Sequence, residues 1–428
     1  MNREQIDTLP RIDYICCYCT GIKIAHKTNL SKFVKKQAYM RILIIHTFYQ
    51  GPGGEDTVFK QESELLAIDH DVETLTFQNK KGWKGALQTL FSFWNIAAAY
   101  RVRKCINNFK PQVVHIHNTH YASGPIIVRT IHKLGVPLIM TLHNFRILCP
   151  SAILYHNQQL FLSSLKENFP WTAIKKKVLD GSTVKTFVLA LNYWFHRRIG
   201  TWNMVDRYIA LSSFAKKLFI DSTLHVPAQK FTIKPNFTFP IKDTIDAQED
   251  YFIYIGRLTE EKGIVNLLKV FSKTDSKIII IGDGPLKQTV VDTANRHANI
   301  KYMGFRTRDE ILPLVEKAEA LLVPSVWFEG MPMTILEAFS VGTPVIGSDI
   351  GALSELIIPD KTGLLFNPQS VDNMLKTVQQ WKNYSIKEKY NIRQTTKEFY
   401  FSNFTPEENK KKLLEIYNEA IEDNIKRS

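Results

Sequence analysis

Three times between Tyr251 and Val341 a short apolar run suited to a buried parallel strand stops at a glycine- or proline-bearing turn and hands over to a helical pattern. Tyr251 to Ile255 leads through GRLTEEKG into the helical stretch Gly263 to Phe271, and KIIII leads through GDGP into a second helix. Ala320 to Pro324 leads through SVWFEGMP into a third, expected over Thr334 to Val341. Strands that alternate with helices build a parallel sheet covered on both faces, and such sheets gather ligands at the carboxyl ends of their strands.

The turns carry the chemistry. Gly330 and Pro332 interrupt regular structure, and Pro332 is pre-set for the first turn of a helix. The amides of Met333, Thr334 and Ile335 are then expected to be unpaired at a helix amino end, where partial positive charge favours phosphate. Glu329 on the loop can accept hydrogen bonds from sugar hydroxyls. Glu337, eight residues on and about two turns along the helix, can accept both hydrogen bonds of a vicinal diol such as a ribose. Taken alone, two glutamates at this spacing are ordinary solvated residues. Upstream, Arg257 and Lys262 flank one tight strand-to-helix loop, where two fixed cations suit a diphosphate and the charge that builds on it as it leaves. Gly282 and Gly284 are expected to let backbone approach a ligand.

The E-x7-E pair, the G-R-L-x-x-E-K-G loop, the G-D-G-P turn, YMGF at Tyr302 to Phe305 and TGLLFNP at Thr362 to Pro368 occur in one order. Together they resemble the retaining glycosyltransferases of family 4, over roughly Met40 to Phe366. The resemblance implies an α/β GT-B fold, two Rossmann-like domains facing across a cleft, and transfer of a sugar from a nucleotide-sugar donor. It implies that Arg257 and Lys262 bind the donor diphosphate, that Glu329 contacts the transferred sugar, that Glu337 holds the ribose, and that backbone at Phe305 borders the base. Gly330, Met331, Met333 and Thr334 complete the donor-binding loop. The family's reaction proceeds on one face of the sugar with the departing diphosphate taking the acceptor's proton, so no metal and no other cofactor is expected.

The amino half is expected to supply the acceptor side. MRILII reads as a first strand, and the PGGED turn, through Gly53 and Gly54, is implied to cover the donor from the opposite domain; a plain strand-to-helix turn is the alternative. QVVHIHNTH and PLIMTLHNF place His117 and His143 at strand carboxyl ends. His143 falls in the segment that usually carries the family's active-site histidine and is read with Glu329 as catalytic; His117 and Asn144 are read as acceptor-binding. His115 is expected on the opposite face. Asp69-His70-Asp71 spells a D-x-D, read as coincidental because it lies where a helix hands over to the strand Val72 to Phe77.

Charge divides the chain. Residues 1 to 240 hold 31 Lys and Arg against 14 Asp and Glu, the remainder 24 against 27, so +17 and −3 sum to the net +14. Thr74 to Lys166 has no acidic residue and eleven basic ones. Such a surface attracts polyanions, and aromatic-rich stretches at Trp83 to Lys104 and Val184 to Arg198 favour an anionic membrane over nucleic acid. The same stretches can instead be packed helices of the first domain. Neither has the length of apolar residues that spans a bilayer.

Five cysteines in no disulfide or zinc pattern point to a reducing, cytoplasmic setting, peripheral on the inner face of the membrane. The expected organisation is an extension over residues 1–39 of doubtful nativeness, an acceptor-binding domain over 40–240, a nucleotide-sugar-binding domain over 241–400 and a final helix over 401–428 that packs back on the first domain. A hinge is expected at Pro235 to Asp250. The expected function is retaining transfer to a lipid-linked or polysaccharide acceptor in capsule, exopolysaccharide or lipopolysaccharide synthesis; a UDP-sugar epimerase of the same fold and a non-catalytic accessory subunit are the alternatives.

Overall fold

The computed structural model describes residues 39–51, 53–240 and 248–427. All of the expected extension except Tyr39, and part of the expected hinge, lie outside the described residues.

The architecture is two six-stranded sheets, both fully parallel. In the first, β1 (Arg41–Phe48), β2 (Asp71–Gln78), β3 (Val113–Ile116), β4 (Leu138–Leu142), β5 (Arg207–Ala210) and β6 (Phe231–Ile233) lie in the order β2-β1-β3-β4-β5-β6. In the second, β7 (Phe252–Ile255), β8 (Ile278–Ile281), β9 (Ile300–Gly304), β10 (Leu321–Val323), β11 (Val345–Ser348) and β12 (Gly363–Phe366) lie in the order β9-β8-β7-β10-β11-β12. Both orders reverse direction beside their first strand, and that reversal opens a crevice at the strand carboxyl ends. Every strand read from the sequence falls within a residue or three of its observed bounds, because continuous Val, Ile and Leu runs are stable only when covered on both faces.

Each sheet has its own core on either face. Leu43, Ile45, Val114, Met140 and Tyr208 pack beneath the helices of the first domain, and Phe252, Ile278, Leu322 and Ile346 beneath those of the second. The last helix, Pro406–Arg427, leaves the second domain and lays Leu413, Leu414, Ile416, Tyr417 and Ala420 against Ile42, Ile44, Val113, Ile139 and Ile209 of the first. Polar anchors fix its register: Lys410 pairs with Asp69 at 2.6 Å, and Arg207 pairs with Asp423. Asp69 is thereby engaged by this helix, and Asp71 begins β2 at the strand's amino end, away from the crevice.

Candidate active site

The residues singled out in the sequence follow strand carboxyl ends in both domains. His117 follows β3, His143 follows β4, Arg257 follows β7, Phe305 follows β9, and the Glu329 loop follows β10. The two domains touch there. A side-chain carbon added at Gly330 would lie 2.7 Å from the main-chain carbonyl oxygen of His143, and one at Gly54 would lie 3.9 Å from Met333. Gly330 is therefore needed for a close approach of the two domains, and Gly54 stands opposite the helix that opens at Met333.

On the second domain Glu329 is almost sealed. Its carboxylate accepts from Lys262 Nζ at 2.7 and 3.0 Å, Ser325 Oγ at 2.6 Å and Trp327 Nε1 at 2.9 Å. Burial works to raise its pKa, but the Lys262 ammonium and the Ser325 and Trp327 donors outweigh it and hold the group below the usual carboxylate range. Lys262 also lies 5.3 Å from the Trp327 ring centroid. Arg257 is exposed, with Glu261 3.5 Å away. The loop thus offers one cation held by a buried acid and a second, exposed one paired with Glu261.

Glu337 is half-buried on the helix Met333–Ser340 and accepts from Arg308 Nε at 2.8 Å. Burial raises its pKa against the opposing pull of that arginine. Phe305 is exposed at the rim. Pro332 precedes the helix as its cap, with extended backbone, and the Ile335 amide bonds to the Pro332 carbonyl at 3.2 Å. The expectation that three amides stand unpaired is corrected at Ile335, because the first turn is tight enough to close on itself. Thr334 is part-exposed, whereas Met331 is buried and its sulfur accepts from the Asn236 amide at 3.0 Å. Met331 is placed as a packing residue between the domains.

The glycines of GDGP are required by a close backbone approach within the domain. A carbon at Gly282 would stand 1.9 Å from the Gly256 carbonyl oxygen, and at Gly284 2.6 Å from that of Leu258. They let one strand-end turn pack closely on its neighbour.

On the first domain, Gly53 caps the helix Gly54–Ala67 and its amide is already taken by Asp56 Oδ2 at 3.0 Å. His143 is half-buried and its Nε2 lies 3.0 Å from His117 Nδ1, the rings stacked at 5.2 Å. Burial and the neighbouring His117 hold the His143 pKa well below the ordinary histidine value. His115 is not on the opposite face: its ring centroid is 4.3 Å from that of His117. Residues two apart on a strand share a face, so the expectation misapplied the strand period.

Behind the histidines lies a sealed network. Glu62 accepts from Lys234 Nζ at 2.5 Å, and its other oxygen is 3.4 Å from His117 Nε2. His115 bonds Tyr417 of the last helix at 2.8 Å and Thr141 at 2.7 Å. Glu62, His115 and His117 are spaced closely enough to share a metal ion. The Lys234 ammonium already supplies the cation there, and both His115 nitrogens are taken.

Asn144 reaches Glu55 at 3.2 Å, and Asn118 reaches the same carboxylate at 2.9 Å. Burial pushes the Glu55 pKa up to about 7 against the donors around it. Sequence reasoning passed over Glu55, Glu62, Lys234 and Arg308. Ser325 and Trp327 were findable by their nearness to Glu329; Arg308, 29 residues from Glu337, carries no local signal.

Two parallel-sheet domains with their strand ends facing one cleft, bridged near Gly330, Gly54 and Met333, are the GT-B architecture. The model described as "Glycosyltransferase Family 4" matches residues 53–238, and that described as "Glycosyl transferases group 1" matches residues 237–399. The chain belongs to the GT-B glycosyltransferases of family 4. It is 27% identical over 300 residues to an uncharacterized glycosyltransferase of Methanocaldococcus jannaschii, covering 65% of each chain. It is 26% identical over 192 residues to a lipopolysaccharide 1,2-N-acetylglucosaminetransferase of Salmonella typhimurium, covering 41% of this chain and 50% of that one. The alignment thus spans less than two thirds of either relative. The crystal structure of Anabaena Alr3699/HepE in complex with UDP has the same fold, with a TM-score of 0.63 at 16% identity over 89% of this chain and 100% of that one.

Proposed function

We propose that the chain is a retaining glycosyltransferase that moves a sugar, a hexose in our reading, from a nucleotide-sugar donor to a lipid-linked or polysaccharide acceptor in surface-polysaccharide synthesis. The observation that carries this reading is the Lys262–Glu329 pair, a charged lysine and a sealed carboxylate held together at the floor of an interdomain cleft. A donor diphosphate would draw the Lys262 ammonium away from Glu329 and gather exposed Arg257. Glu329 would then accept hydroxyls of the transferred sugar, and Glu337 the ribose diol. The bond from the anomeric carbon to the diphosphate breaks as the acceptor oxygen bonds to the same face, and the departing diphosphate takes the acceptor's proton. Lys262 and Arg257 stabilise the charge on that leaving group; His143 and Asn144 orient the acceptor. The UDP bound by the Anabaena protein supports a nucleotide-linked donor, and the name of the Salmonella relative supports a surface-glycan acceptor.

The reading includes a cytoplasmic enzyme that sits on the anionic inner face of a membrane. Among the described residues no helix is long and apolar enough to cross one. The helix Gly82–Phe91 buries none of its residues, and Trp83, Leu90 and Phe91 are all more than half exposed beside Lys80, Lys81 and Lys84. The helix Thr183–Arg198 instead packs Leu189, Ala190 and Tyr193 into the first domain, so the membrane reading rests on the first segment alone.

The test is a panel of UDP-, GDP- and dTDP-sugars screened for protection against thermal unfolding, followed by transfer assays with lipid-linked acceptors and product anomer analysis. Transfer with retained configuration, abolished in Lys262→Ala and Glu329→Ala, is expected. Full activity in either variant, or turnover of donor without acceptor as in an epimerase, would overturn the reading. Loss of transfer on chelation would show that the metal-free chemistry is wrong.

A further inference from the structure

The sealed network behind the cleft dictates which nitrogen of His143 carries the proton. His117 Nε2 and Glu62 Oε2 lie 3.4 Å apart, and neither has a hydrogen-bond partner among the described residues. That separation is long for a hydrogen bond. Both atoms are nonetheless cut off from solvent, and a buried donor or acceptor left alone carries its full desolvation penalty. The pair satisfies itself only if the nitrogen is an N–H directed at the oxygen, since an ionised carboxylate can only accept. Glu62 is ionised because Lys234 Nζ stands 2.5 Å from its other oxygen. That ammonium balances the carboxylate charge. A neutral imidazole with its proton on Nε2 has a bare Nδ1.

The bare Nδ1 of His117 faces His143 Nε2 at 3.0 Å. His143 must therefore be the donor, with its proton on Nε2 and its own Nδ1 unprotonated. Burial keeps that ring neutral. His143 Nδ1 has no hydrogen-bond partner among the described residues and, on a half-buried side chain, is not sealed. The remaining groups around Glu62 do not compete. His115 stands 4.0 Å away with both nitrogens committed to Tyr417 and Thr141.

We propose that Glu62, held by Lys234, is a positioning residue that acts through His117 to fix His143 as the Nε2–H tautomer, leaving Nδ1 to accept a hydrogen bond from a substrate hydroxyl in the cleft. The consequence for catalysis rests on the transferase reading; the tautomer does not. His143 is then an acceptor toward the substrate and cannot donate to a developing negative charge through that atom.

The experiment is long-range nitrogen–proton correlation NMR on the full chain labelled with nitrogen-15 histidine, with His143→Gln and His117→Gln used to assign the signals. The expected result is a protonated Nε2 and an unprotonated Nδ1 at His143 across the neutral range, without any ligand. A protonated Nδ1 at His143, or a cationic His117, would overturn the proposal. In the double variant Glu62→Gln with Lys234→Met, the amide can donate to His117 Nε2, and both tautomers are expected to invert. Glu62→Asp keeps a carboxylate and is expected to retain the wild-type pattern. An unchanged His143 pattern in the double variant would sink the role given to Glu62. Should that variant not fold, the wild-type spectrum still decides the tautomer. If transfer activity is found, kcat/KM should fall by roughly tenfold or more in the double variant and recover in Glu62→Asp, as expected when a carboxylate sets a histidine's tautomer. The correct tautomer in a protein that transfers no sugar would refute the transferase reading and leave this one standing.

Discussion

Lys262→Met tests the pair on which the proposed site depends. The substitution leaves Glu329, 5% exposed, with its bonds from Ser325 and Trp327 but without a cation. Removing one partner of a fully buried ion pair costs roughly 3–5 kcal/mol. Two neutral donors remain here, and the Lys262 side chain is itself 20% exposed, so solvent screens part of the interaction and the expected cost is about 2 kcal/mol. The pH dependence has a definite sign. In the wild type the Glu329 carboxyl is held below its ordinary value. Its contribution is therefore present above the unfolded pKa and lost as pH falls through the folded one. In the variant burial prevails, the pKa rises, and the penalty for the buried charge is relieved as the carboxyl protonates. The deficit should be largest near pH 7.5 and should shrink on going to pH 5 and below. Urea unfolding of both proteins at each pH measures it directly, with about 2 kcal/mol corresponding to roughly 4–8 °C in thermal midpoint. Equal stabilities at pH 7.5, or a gap that widens on acidification, would refute the argument.

Glu55→Gln should stabilise the protein by about 1–2 kcal/mol at pH 8 and leave it unchanged at pH 4. The carboxyl pKa is raised to about 7, so the folded state is penalised increasingly from the ordinary carboxylate range up to that value; urea midpoints at the two pH values check this. Glu355 accepts from the amides of Ser213 and Phe214 at 2.8 and 2.6 Å, capping a first-domain helix from the second domain. Glu355→Ala should loosen that contact by up to about 1 kcal/mol, read as an increased radius of gyration in small-angle scattering. Tyr417→Phe leaves His115 Nδ1 without its partner and should cost about 1–2 kcal/mol in urea unfolding. Paired Trp83→Ser and Phe91→Ser should leave stability within about 0.5 kcal/mol while reducing sedimentation with anionic vesicles; unchanged sedimentation would remove this helix as the membrane contact.

The strands β1, β3, β4, β7, β8 and β10 could be read because a strand covered on both faces must be apolar throughout, and that is a local property. The ends of those strands, and so the positions of His117, His143, Arg257 and Glu329, followed directly. Partnerships could not be read in the same way. Lys262 and Glu329 were each assigned to a ligand, yet the folded chain pairs them with each other across 67 residues. Gly282 and Gly284 carry no local sign of what approaches them, and only the fold shows the backbone of Gly256 and Leu258 packed against them. The aromatic stretches at Trp83 and Val184 have similar composition, but the helix Thr183–Arg198 packs one face into the first domain and the helix Gly82–Phe91 buries no residue.

Sequence alone determined the alternation of strand and helix, the parallel sheets it entails and the turns where polar residues collect, because period and turn chemistry act over a few residues at a time. The order of the strands, the return of the last helix to the first sheet, the Tyr417–His115 bond and the chain of contacts from Lys234 through Glu62 and His117 to His143 belong to tertiary structure. Tyr417 and His115 are 302 residues apart in the chain. The free energy that orients their protons comes from sealing these groups together away from water, which no stretch of sequence specifies by itself.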